Sequence, residues 1–359
     1  MDSMLMRPRL SVCIPAYNRA GQLSPLLDSI FGQDFDDLEV VIAEDGSPER
    51  DAIRQVAEAY AERYPSRLHY TENPKNLGYD GNLRRLIELA HGDFVVFMGN
   101  DDLMAPEAAA RIASAAMRHP DVGVVLRSYA SFHDDPQQVE QVFRYFDGER
   151  FFPAGIDTIV TFFRRSVFIS GMVVNREAAL ACSTSEFDGS LLYQQHLVGH
   201  ILSKYNGVYV PDILSFHRLG GTPDFGNSEV ERGLFVPREQ TPASSVHFMR
   251  GMLGIAASLE ARLGLPLYRP ILKDIGNYSY PILSIQADRS FGVFVRYLRD
   301  LASLGFWRVP LFHGYALGLL VLGRRRCDCL IAWIKQRLGR APKLGKVYEG
   351  QEKRKQVEP

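Results

Sequence analysis

Residues 93–104 read DFVVFMGNDDLM, a run of apolar residues that ends abruptly in a glycine, an asparagine and two aspartates. The apolar part is typical of a buried strand. Asp101 and Asp102 could cap a helix that starts near Pro106, or they could hold a divalent cation with hard oxygen ligands. The stretch by itself leaves both interpretations open.

Strands and helices alternate on both sides of this stretch. Apolar runs at 10–14, 38–43, 68–71 and 122–126 predict strands, and amphipathic patterns at 23–31, 53–64, 79–90 and 106–117 predict helices. This alternation favours βαβ units and a mostly parallel sheet flanked by helices, which is an α/β fold.

Polar residues follow three of the predicted strands: Pro15–Arg19, Glu44–Ser47 and Asn100–Asp102. In parallel sheets, ligands bind beyond the carboxyl ends of the strands, near the point where the strand order reverses. The three polar segments therefore predict one shared binding site.

Composition excludes several classes of protein. The chain has 359 residues, 23% of them charged, and a net charge of −1, so no excess of positive charge favours a nucleic-acid partner. Four cysteines without disulfide-framework density favour a reducing cytosol. Cys327 and Cys329 lack a second ligand pair and are interpreted as two thiols on a helix rather than a metal or redox site.

The second half of the chain is less regular. Strands are predicted at 167–174, 208–210 and 213–216, and helices at 191–205, 244–263, 267–286, 291–304 and 309–338. We predict one domain over 1–219, with a first half at about 1–105 and a second half at about 106–219. A flexible loop or linker follows at 220–243, then a helical region at 244–340 and a disordered tail at 341–359.

Four segments resemble glycosyltransferase family 2, whose members have the GT-A fold and use nucleoside-diphosphate sugars. They are Leu10–Arg19 (LSVCIPAYNR), Val40–Ser47 (VVIAEDGS), Asn76–Asp93 (NLGYDGNLRRLIELAHGD) and Asn100–Asp102, the last in the place of the family's acidic motif. Their order and spacing are those of the family. The resemblance is closest to the branch of abequosyltransferases and other deoxysugar transferases of bacterial O-antigen synthesis.

The resemblance implies that 1–219 is a catalytic domain with a nucleotide-sugar half (about 1–105) and an acceptor half (about 106–219). It also implies roles for particular residues. Tyr17 would lie against the nucleobase, Asp45 would bind the base or ribose, and Asp101 with His217 would bind Mg²⁺ or Mn²⁺. Asp102 would act near the acceptor as a catalytic group. The residues expected to contact the nucleotide sugar are Pro15, Tyr17, Arg19, Asp45, Asn76, Asn82, Asn100 and Arg218.

Two positions depart from the family's pattern. Gly99 stands where the family commonly has an aspartate, which leaves the register of the acidic motif open. Gln194 or Gln195 stands where an aspartate base is expected, and glutamine cannot accept a proton. His196 is therefore the predicted catalytic base, with the upstream acids Asp188 and Glu186 as alternatives.

The C-terminal region predicts a location. Leu311–Gly323 is too short and too mixed to span a membrane, but Trp307, Trp333 and the arginines at 324–326 flank it. This pattern is typical of a helix on an anionic membrane surface, although a helical hairpin packed into a core would also explain it. We expect a cytoplasmic protein, peripheral on the inner face of the membrane, with a lipid-linked glycan acceptor. The N-terminus leaves no room for a signal peptide.

Two other functions compete with a glycosyltransferase. A sugar-phosphate nucleotidyltransferase would carry a glycine-rich loop with a lysine after the first strand, where this chain has Pro15–Arg19. A degenerate transferase that binds a nucleotide sugar or glycan without turnover would explain Gly99 and the missing base. Release of nucleoside diphosphate separates an enzyme from such a binder.

Overall fold

One mixed sheet organises the part of the chain described by this computed structural model, which is residues 10–119, 121–221 and 223–337. Its strands are β1 (Leu10–Ala16), β2 (Leu38–Glu44), β3 (Leu68–Glu72), β4 (Phe94–Phe97), β5 (Leu103–Met104), β6 (Val122–Phe132), β7 (Gln141–Phe143), β8 (Arg150–Phe152), β9 (Met172–Asn175) and β10 (Asn206–Arg218). The helices are α1 (Ala20–Phe31), α2 (Arg50–Arg63), α3 (Gly78–Leu89), α4 (Ala108–Arg118), α5 (Ile156–Phe163), α6 (Arg176–Ala181), α7 (Tyr193–Ile201), α8 (Pro242–Leu263), α9 (Tyr268–Asn277), α10 (Tyr280–Gln286), α11 (Phe291–Ser303) and α12 (Pro310–Arg337).

The strand order is β3-β2-β1-β4-β9-β6-β10-β5. β1 to β4 run parallel to one another, and β10 runs parallel to β6. β9 lies antiparallel between β4 and β6, so β6 and β10 point the same way as β1. The predicted α/β fold with a mostly parallel sheet and a helical C-terminal region is confirmed, and the carboxyl ends of six strands lie at one edge.

Alternating side chains give the sheet two buried faces. Val12 and Ile14 of β1 belong to one hydrophobic cluster with α1, α2 and α4, whereas Cys13 belongs to a second cluster on the other face. A strand whose successive side chains point to opposite faces must be apolar throughout when helices cover both. This is why the strands read as continuous apolar runs.

Several predicted elements have different limits in the structure, and proline or glycine explains three of the differences. The predicted helix 267–286 is two helices, because Pro281 in the first turn of α10 cannot continue a helix from α9. The predicted strands 208–210 and 213–216 are one strand, β10, with a register shift beside Pro211. α12 is interrupted at Gly323, whose φ of 74° is left-handed.

The C-terminal helices share the core of the sheet. One cluster of buried residues runs from Val41 and Phe97 in the sheet through Leu197 in α7 to Leu259 in α8 and Leu319 in α12. α7 and α8 approach closely at Gly199, where an added Cβ would lie 2.2 Å from Leu259 Cδ1. No helix in the described residues is long and apolar enough to cross a membrane.

The segment between β10 and α8 is packed, over its described residues, against α3 and the loop after β1. The side chain of Glu231 is buried and accepts hydrogen bonds from the backbone N–H groups of Tyr79 (2.7 Å) and Gly226 (2.9 Å). Asp224 accepts a bond from Asn18 Nδ2 (3.2 Å). These contacts do not agree with a flexible linker. The predicted disordered tail, 341–359, lies outside the described residues.

Candidate active site

The predicted site residues that follow β1, β2, β4 and β10 meet at the carboxyl edge of the sheet. This edge is where an open α/β sheet binds its ligands, because the loops that leave parallel strands diverge there. Two groups of side chains can be distinguished: one around Asp45 and one around Asp101 and Asp102.

Asp45 is fixed by an asparagine network. Its Oδ1 accepts hydrogen bonds from Asn73 Nδ2 and from the backbone N–H of Leu77, both 2.8 Å. Asn82 is buried behind it, donating to the Ala43 carbonyl and accepting from Asn73, both at 3.0 Å. Asn82 thus supports Asp45 rather than lining the cleft.

The turn beside Asp45 is shaped by Asn76 and Gly46. The Asn76 side chain accepts a bond from the backbone N–H of Gly78 (2.9 Å), so it closes the turn into α3. Gly46 has a φ of 72°, and an added Cβ would lie 3.1 Å from the Asn76 backbone nitrogen. The close approach and the left-handed conformation together favour glycine at this position.

The pKa values of Asp45 and Tyr17 both lie above their ordinary values. Burial raises the pKa of Asp45 to about 6, against the opposing effect of its hydrogen bonds from Leu77 and Asn73. Burial also raises the pKa of Tyr17, helped by the negative charges of Asp224 and Asp45. Tyr17 therefore stays a neutral phenol within the field of Asp45, as a platform for a nucleobase requires.

The loop after β1 carries Arg19 to the second group. Asn100 Nδ2 donates to the Asn18 carbonyl (2.9 Å) and more weakly to that of Tyr17 (3.4 Å), and its side chain is buried. Asn18 and Arg19 both have left-handed φ values, 53° and 62°. The loop so held places Arg19 Nη1 2.5 Å from Asp101 Oδ2.

Asp102 joins β4 to β10. Its Oδ1 accepts hydrogen bonds from His217 Nδ1 and from the backbone N–H of Arg218, both 3.0 Å, and its Oδ2 accepts one from Ser170 Oγ. The Arg218 guanidinium donates to the Asp101 carbonyl (3.1 Å). The carboxylate of Asp102 is only 3% exposed, so it orients its neighbours rather than contacting a ligand.

Gly99 is explained by the same contacts. A Cβ at this position would lie 3.1 Å from Asp102 Oδ2 and 3.2 Å from Ser170 Oγ. Ser170 also accepts a bond from the backbone N–H of Gly99 (2.9 Å). The space that a side chain at 99 would need is thus filled by the Ser170–Asp102 pair, and an aspartate there would crowd a third carboxylate against it.

The charged side chains of this group shift one another's pKa values. Burial and the negative charge of Asp102 raise the pKa of Asp101, against the effects of Arg19 and His217. Burial lowers the pKa of His217, but Asp102 and Asp101 outweigh it and the pKa is raised overall. The site thus holds two carboxylates together with the guanidinium groups of Arg19 and Arg218 and the imidazole of His217.

The residues present fit a divalent cation shared with a diphosphate. Asp101 offers a hard carboxylate oxygen and is 15% exposed. His217 Nδ1 is bonded to Asp102, so Nε2 is its remaining ring nitrogen, and a histidine that binds a metal usually has its other nitrogen held by a carboxylate in this way. One or two protein ligands plus phosphate oxygens are the usual set for Mg²⁺. Asp101 and His217 would hold the ion.

A buried arginine supports the segment that contacts Asp102 and His217. Arg127 is fully buried and donates to the carbonyls of Ser170 (2.8 Å from Nε) and Phe168 (2.9 Å). Its guanidinium also lies over the ring of Phe168 at 5.2 Å, and Phe168 contacts the His217 ring edge to face. Arg127 thereby fixes the segment that presents Ser170 to Asp102.

The structure does not bring His196 to this site. Its ring is 1% exposed, Nε2 bonds the Cys182 carbonyl at 2.8 Å, and the ring packs beside Phe187 and His200. Burial lowers its pKa. A side chain enclosed within the protein cannot reach an acceptor hydroxyl, so this geometry argues against His196 as the base.

The alternative bases are also engaged elsewhere. Asp188 forms a two-point ion pair with Arg84 (2.7 and 2.8 Å), and Glu186 pairs with Arg262. The buried amides of Gln194 and Gln195 donate to the carbonyls of Val167 and Phe163. The contacts of Gln194 and Gln195 belong to the packing around α7.

Sequence reasoning missed three residues that shape the site. Asn73 holds Asp45, Ser170 holds Asp102, and Arg127 supports the segment that presents Ser170. Glu44, which belongs to the predicted segment Glu44–Ser47, accepts the backbone N–H groups of Gly46 (3.0 Å) and Ser47 (2.6 Å). Ser170 and Arg127 carry no local signal, since only the fold brings them close.

Comparison with known proteins identifies the class. Residues 11–181 match the model of glycosyl transferase family 2. This part of the chain is therefore a domain of glycosyl transferase family 2, which confirms the resemblance in its sequence.

Two curated relatives are similar to part of the chain. The chain is 33% identical over 101 residues to the abequosyltransferase RfbV of Salmonella typhimurium, an alignment that covers 28% of this chain and 30% of the relative. It is 32% identical over 110 residues to the GalNAc(5)-diNAcBac-PP-undecaprenol beta-1,3-glucosyltransferase of Campylobacter jejuni, covering 30% and 35%. The chain thus spans about a third of the length of these relatives.

Solved structures share the fold over nearly the whole chain. TarS 1–349 of S. aureus in complex with UDP-GlcNAc superimposes with a TM-score of 0.61 at 18% identity, covering 95% of both chains. The mannosyltransferase PcManGT of Pyrobaculum calidifontis, in complex with GDP-Man and Mn²⁺, gives a TM-score of 0.51 at 18% identity, covering 89% and 88%. The fold is that of GT-A glycosyltransferases.

Proposed function

We propose that this protein is a metal-dependent glycosyltransferase that moves a sugar from a nucleoside diphosphate to an acceptor hydroxyl. The observation that carries the proposal is the convergence of the Asp45 network and the Asp101–Asp102–His217 group at one sheet edge. One group suits the recognition of a base or ribose. The other suits a leaving diphosphate.

The chemistry follows from the contacts of each group. As the bond between the anomeric carbon and the diphosphate oxygen breaks, negative charge develops on that oxygen, and the acceptor oxygen forms the new bond while losing its proton. A divalent ion bound at Asp101 and His217 would supply a Lewis acid for the diphosphate. Arg19 and Arg218 would add positive charge on either side of Asp101.

Asp102 acts in this proposal as a positioning residue. It accepts the Nδ1–H of His217, so the neutral ring presents its Nε2 lone pair toward the cation. The prediction of Asp102 as a directly catalytic group is not carried further, because Ser170, His217 and the Arg218 backbone occupy its oxygens.

The donor and acceptor classes rest on the relatives. The name of the Salmonella relative, an abequosyltransferase, supports a deoxysugar donor. The resemblance to that branch of the family favours O-antigen synthesis. The name of the Campylobacter relative supports an acceptor linked to a polyprenyl diphosphate. We propose a surface-polysaccharide intermediate carried on such a lipid at the cytoplasmic face of the membrane.

Donor binding should depend on the ionisation of Asp45. The ionised carboxylate accepts an N–H group of a base more strongly than the protonated acid does, and the pKa of Asp45 is raised to about 6. As the pH falls from about 7 to about 5, the ionised fraction falls about tenfold, and we expect the Kd of the nucleotide sugar to rise about tenfold. Calorimetric titration of nucleotide sugars with Mn²⁺ at both pH values measures this.

The matched variant is Asp45→Asn, which should bind weakly at both pH values and lose the pH dependence. The intact nucleotide sugar is the proper ligand, because a free terminal phosphate would itself titrate near pH 6. Binding of no nucleotide sugar by the wild-type protein, or an unchanged pH dependence in Asp45→Asn, would contradict the role of Asp45.

The outer face of α12 supports attachment to a membrane surface. Leu317 is 64% exposed, Val321 69% and Trp333 51%, while Phe312 and Leu319 on the inner side are buried. Arg325 and Arg326 are also exposed, beside the break at Gly323. Exposed apolar residues together with an interfacial tryptophan and arginines suit an anionic lipid surface better than a protein partner.

The full chain should sediment with vesicles that contain anionic phosphatidylglycerol and bind neutral phosphatidylcholine vesicles much less. Replacing both Leu317 and Val321 with serine removes apolar area, and we expect at least about a tenfold loss of vesicle affinity. Val139→Ser, at a 40% exposed position outside α12, serves as the control.

Equal sedimentation of the double variant would contradict the membrane proposal. A concentration-dependent dimer that the same substitutions abolish would also contradict it, since the face would then bind a second copy of this chain.

A further inference from the structure

A second group of metal-ligating side chains lies at the opposite edge of the sheet. Glu39 is the second residue of β2, His69 is the second residue of β3, and His91 lies in the turn before β4. Six residues of extended chain separate Glu39 from Asp45, which is about 20 Å. The group is therefore distinct from the candidate active site.

The three side chains present their ligand atoms to one another. His69 Nε2 and His91 Nδ1 each lie 3.3 Å from Glu39 Oε2, and one ligand atom from each residue lies within 4.8 Å of the other two. Contacts of 3.3 Å are longer than a good hydrogen bond of this kind. They match the distance of about 3.3 Å between two ligands that share one tetrahedral zinc ion.

Glu39 is held as metal-binding carboxylates usually are. Its Oε1 accepts hydrogen bonds from Ser11 Oγ (2.5 Å) and the backbone N–H of His91 (2.6 Å), and a weaker one from Gly92 (3.3 Å). The carboxylate is 3% exposed. These donors fix one oxygen and leave Oε2 directed at the two imidazoles, an outer-shell arrangement that raises metal affinity.

The two histidines can rotate to complete a set of metal ligands without disturbing the hydrophobic core. Their side chains are 45% (His69) and 67% (His91) exposed, so small rotations can shorten the distance between the two ring nitrogens. A fourth position faces solvent and can be taken by water. Two imidazoles with one carboxylate suit Zn²⁺, whereas Mg²⁺ favours a set made up mostly of oxygen ligands.

We propose that Glu39, His69 and His91 form a zinc site, with water as the fourth ligand, that ties β2, β3 and the turn before β4 together. The ion would join β3 to two segments that the Glu39 carboxylate already connects through the backbone N–H of His91. It would stabilise the folded protein by binding the native state alone.

The test is titration of the tag-free, full-length protein, freed of metal with a chelator, with Co²⁺ and then Zn²⁺. We expect one equivalent of Co²⁺ to give the visible absorption of a four-coordinate site, Zn²⁺ to displace it, and excess Mg²⁺ to leave it unchanged. His69→Gln and His91→Gln should each weaken Co²⁺ binding by about 100-fold or more. Both side chains are exposed, so these variants should keep the fold.

His119→Gln is the matched control, because His119 lies 3.5 Å from Glu149 in a similar pair without a second histidine. It should bind Co²⁺ like the wild type. Asp101→Asn serves to locate the ion, because it removes a ligand from the candidate active site and none from the Glu39 group. The absence of a one-equivalent Co²⁺ site, or its persistence in both histidine variants, would overturn the proposal. Its loss in Asp101→Asn instead would place the ion at the other edge of the sheet.

Discussion

Asp101→Asn should lower the kcat/KM of sugar transfer by about 10³-fold. The amide keeps the size of the side chain but removes the charge that would hold a cation on the diphosphate, and it breaks the ion pair with Arg19. Losing one preorganised charge at a leaving group commonly costs about 10² to 10³ in rate, and loss of the metal adds to this. Release of nucleoside diphosphate in a coupled assay, with the lipid-linked acceptor supplied, measures the change.

The fold should be unaffected by this substitution. Burial and Asp102 raise the pKa of Asp101, which means that the charged form is not favoured by folding, so the melting temperature should stay the same or rise slightly. Asp300→Asn, at an exposed position of α11, is the control and should retain full activity. Full activity in Asp101→Asn would exclude the proposed metal role. A wild-type protein that binds the donor but releases no nucleoside diphosphate would instead be a binder without turnover.

Asp80→Ala should destabilise the protein by about 3 kcal/mol, the largest stability effect that we expect from a single polar side chain. Asp80 is 1% exposed, and its two oxygens accept the backbone N–H groups of Leu191 and Tyr193, both at 2.8 Å. Alanine would leave two buried donors at the start of α7 without an acceptor, at about 1 to 3 kcal/mol each. Chemical denaturation followed by circular dichroism measures the free energy of unfolding.

The pH dependence gives this prediction a second check. Burial raises the pKa of Asp80 to about 7, far above its ordinary value, so folding favours the protonated acid. Its contribution to stability is complete below about pH 4 and is lost as the pH rises through about 7. The difference between wild type and Asp80→Ala should therefore be largest in acid. Asp51→Ala, at an 84% exposed side chain, should cost less than about 0.5 kcal/mol. Equal effects of the two variants would contradict the capping role.

The sequence was sufficient for the elements that depend on local pattern. The alternation of apolar runs and amphipathic helices predicted the α/β sheet, and the strand-end residues Asp45 and Asp101 were found because polar groups after buried strands are conspicuous. The antiparallel β9 in the middle of the sheet could not be foreseen in the same way. Whether a strand pairs parallel or antiparallel depends on the path of the chain, which local periodicity does not record.

The candidate site shows the same division. Asp102 was identified from its motif, but its partner Ser170 lies 68 residues away along the chain and carries no signal of its own. The prediction of His196 as the catalytic base disagrees with the structure for a related reason. A histidine near the expected position of a base suggests chemistry, yet only the packing around α7 shows that the ring is enclosed. Residue type at a position is visible in a sequence, whereas exposure to a cleft is a property of the fold.

The segment that matches the family model is shorter than the segment that forms the sheet. The family match ends at residue 181, but β10, which pairs with β6 inside the sheet, begins at Asn206. His217 and Arg218 stand at its end. An excised 11–181 fragment would expose one long side of β6 to solvent and lose both His217 and Arg218. A chimaera made between relatives should therefore exchange β10 together with the matched segment, because β6 and β10 are neighbouring strands of one sheet.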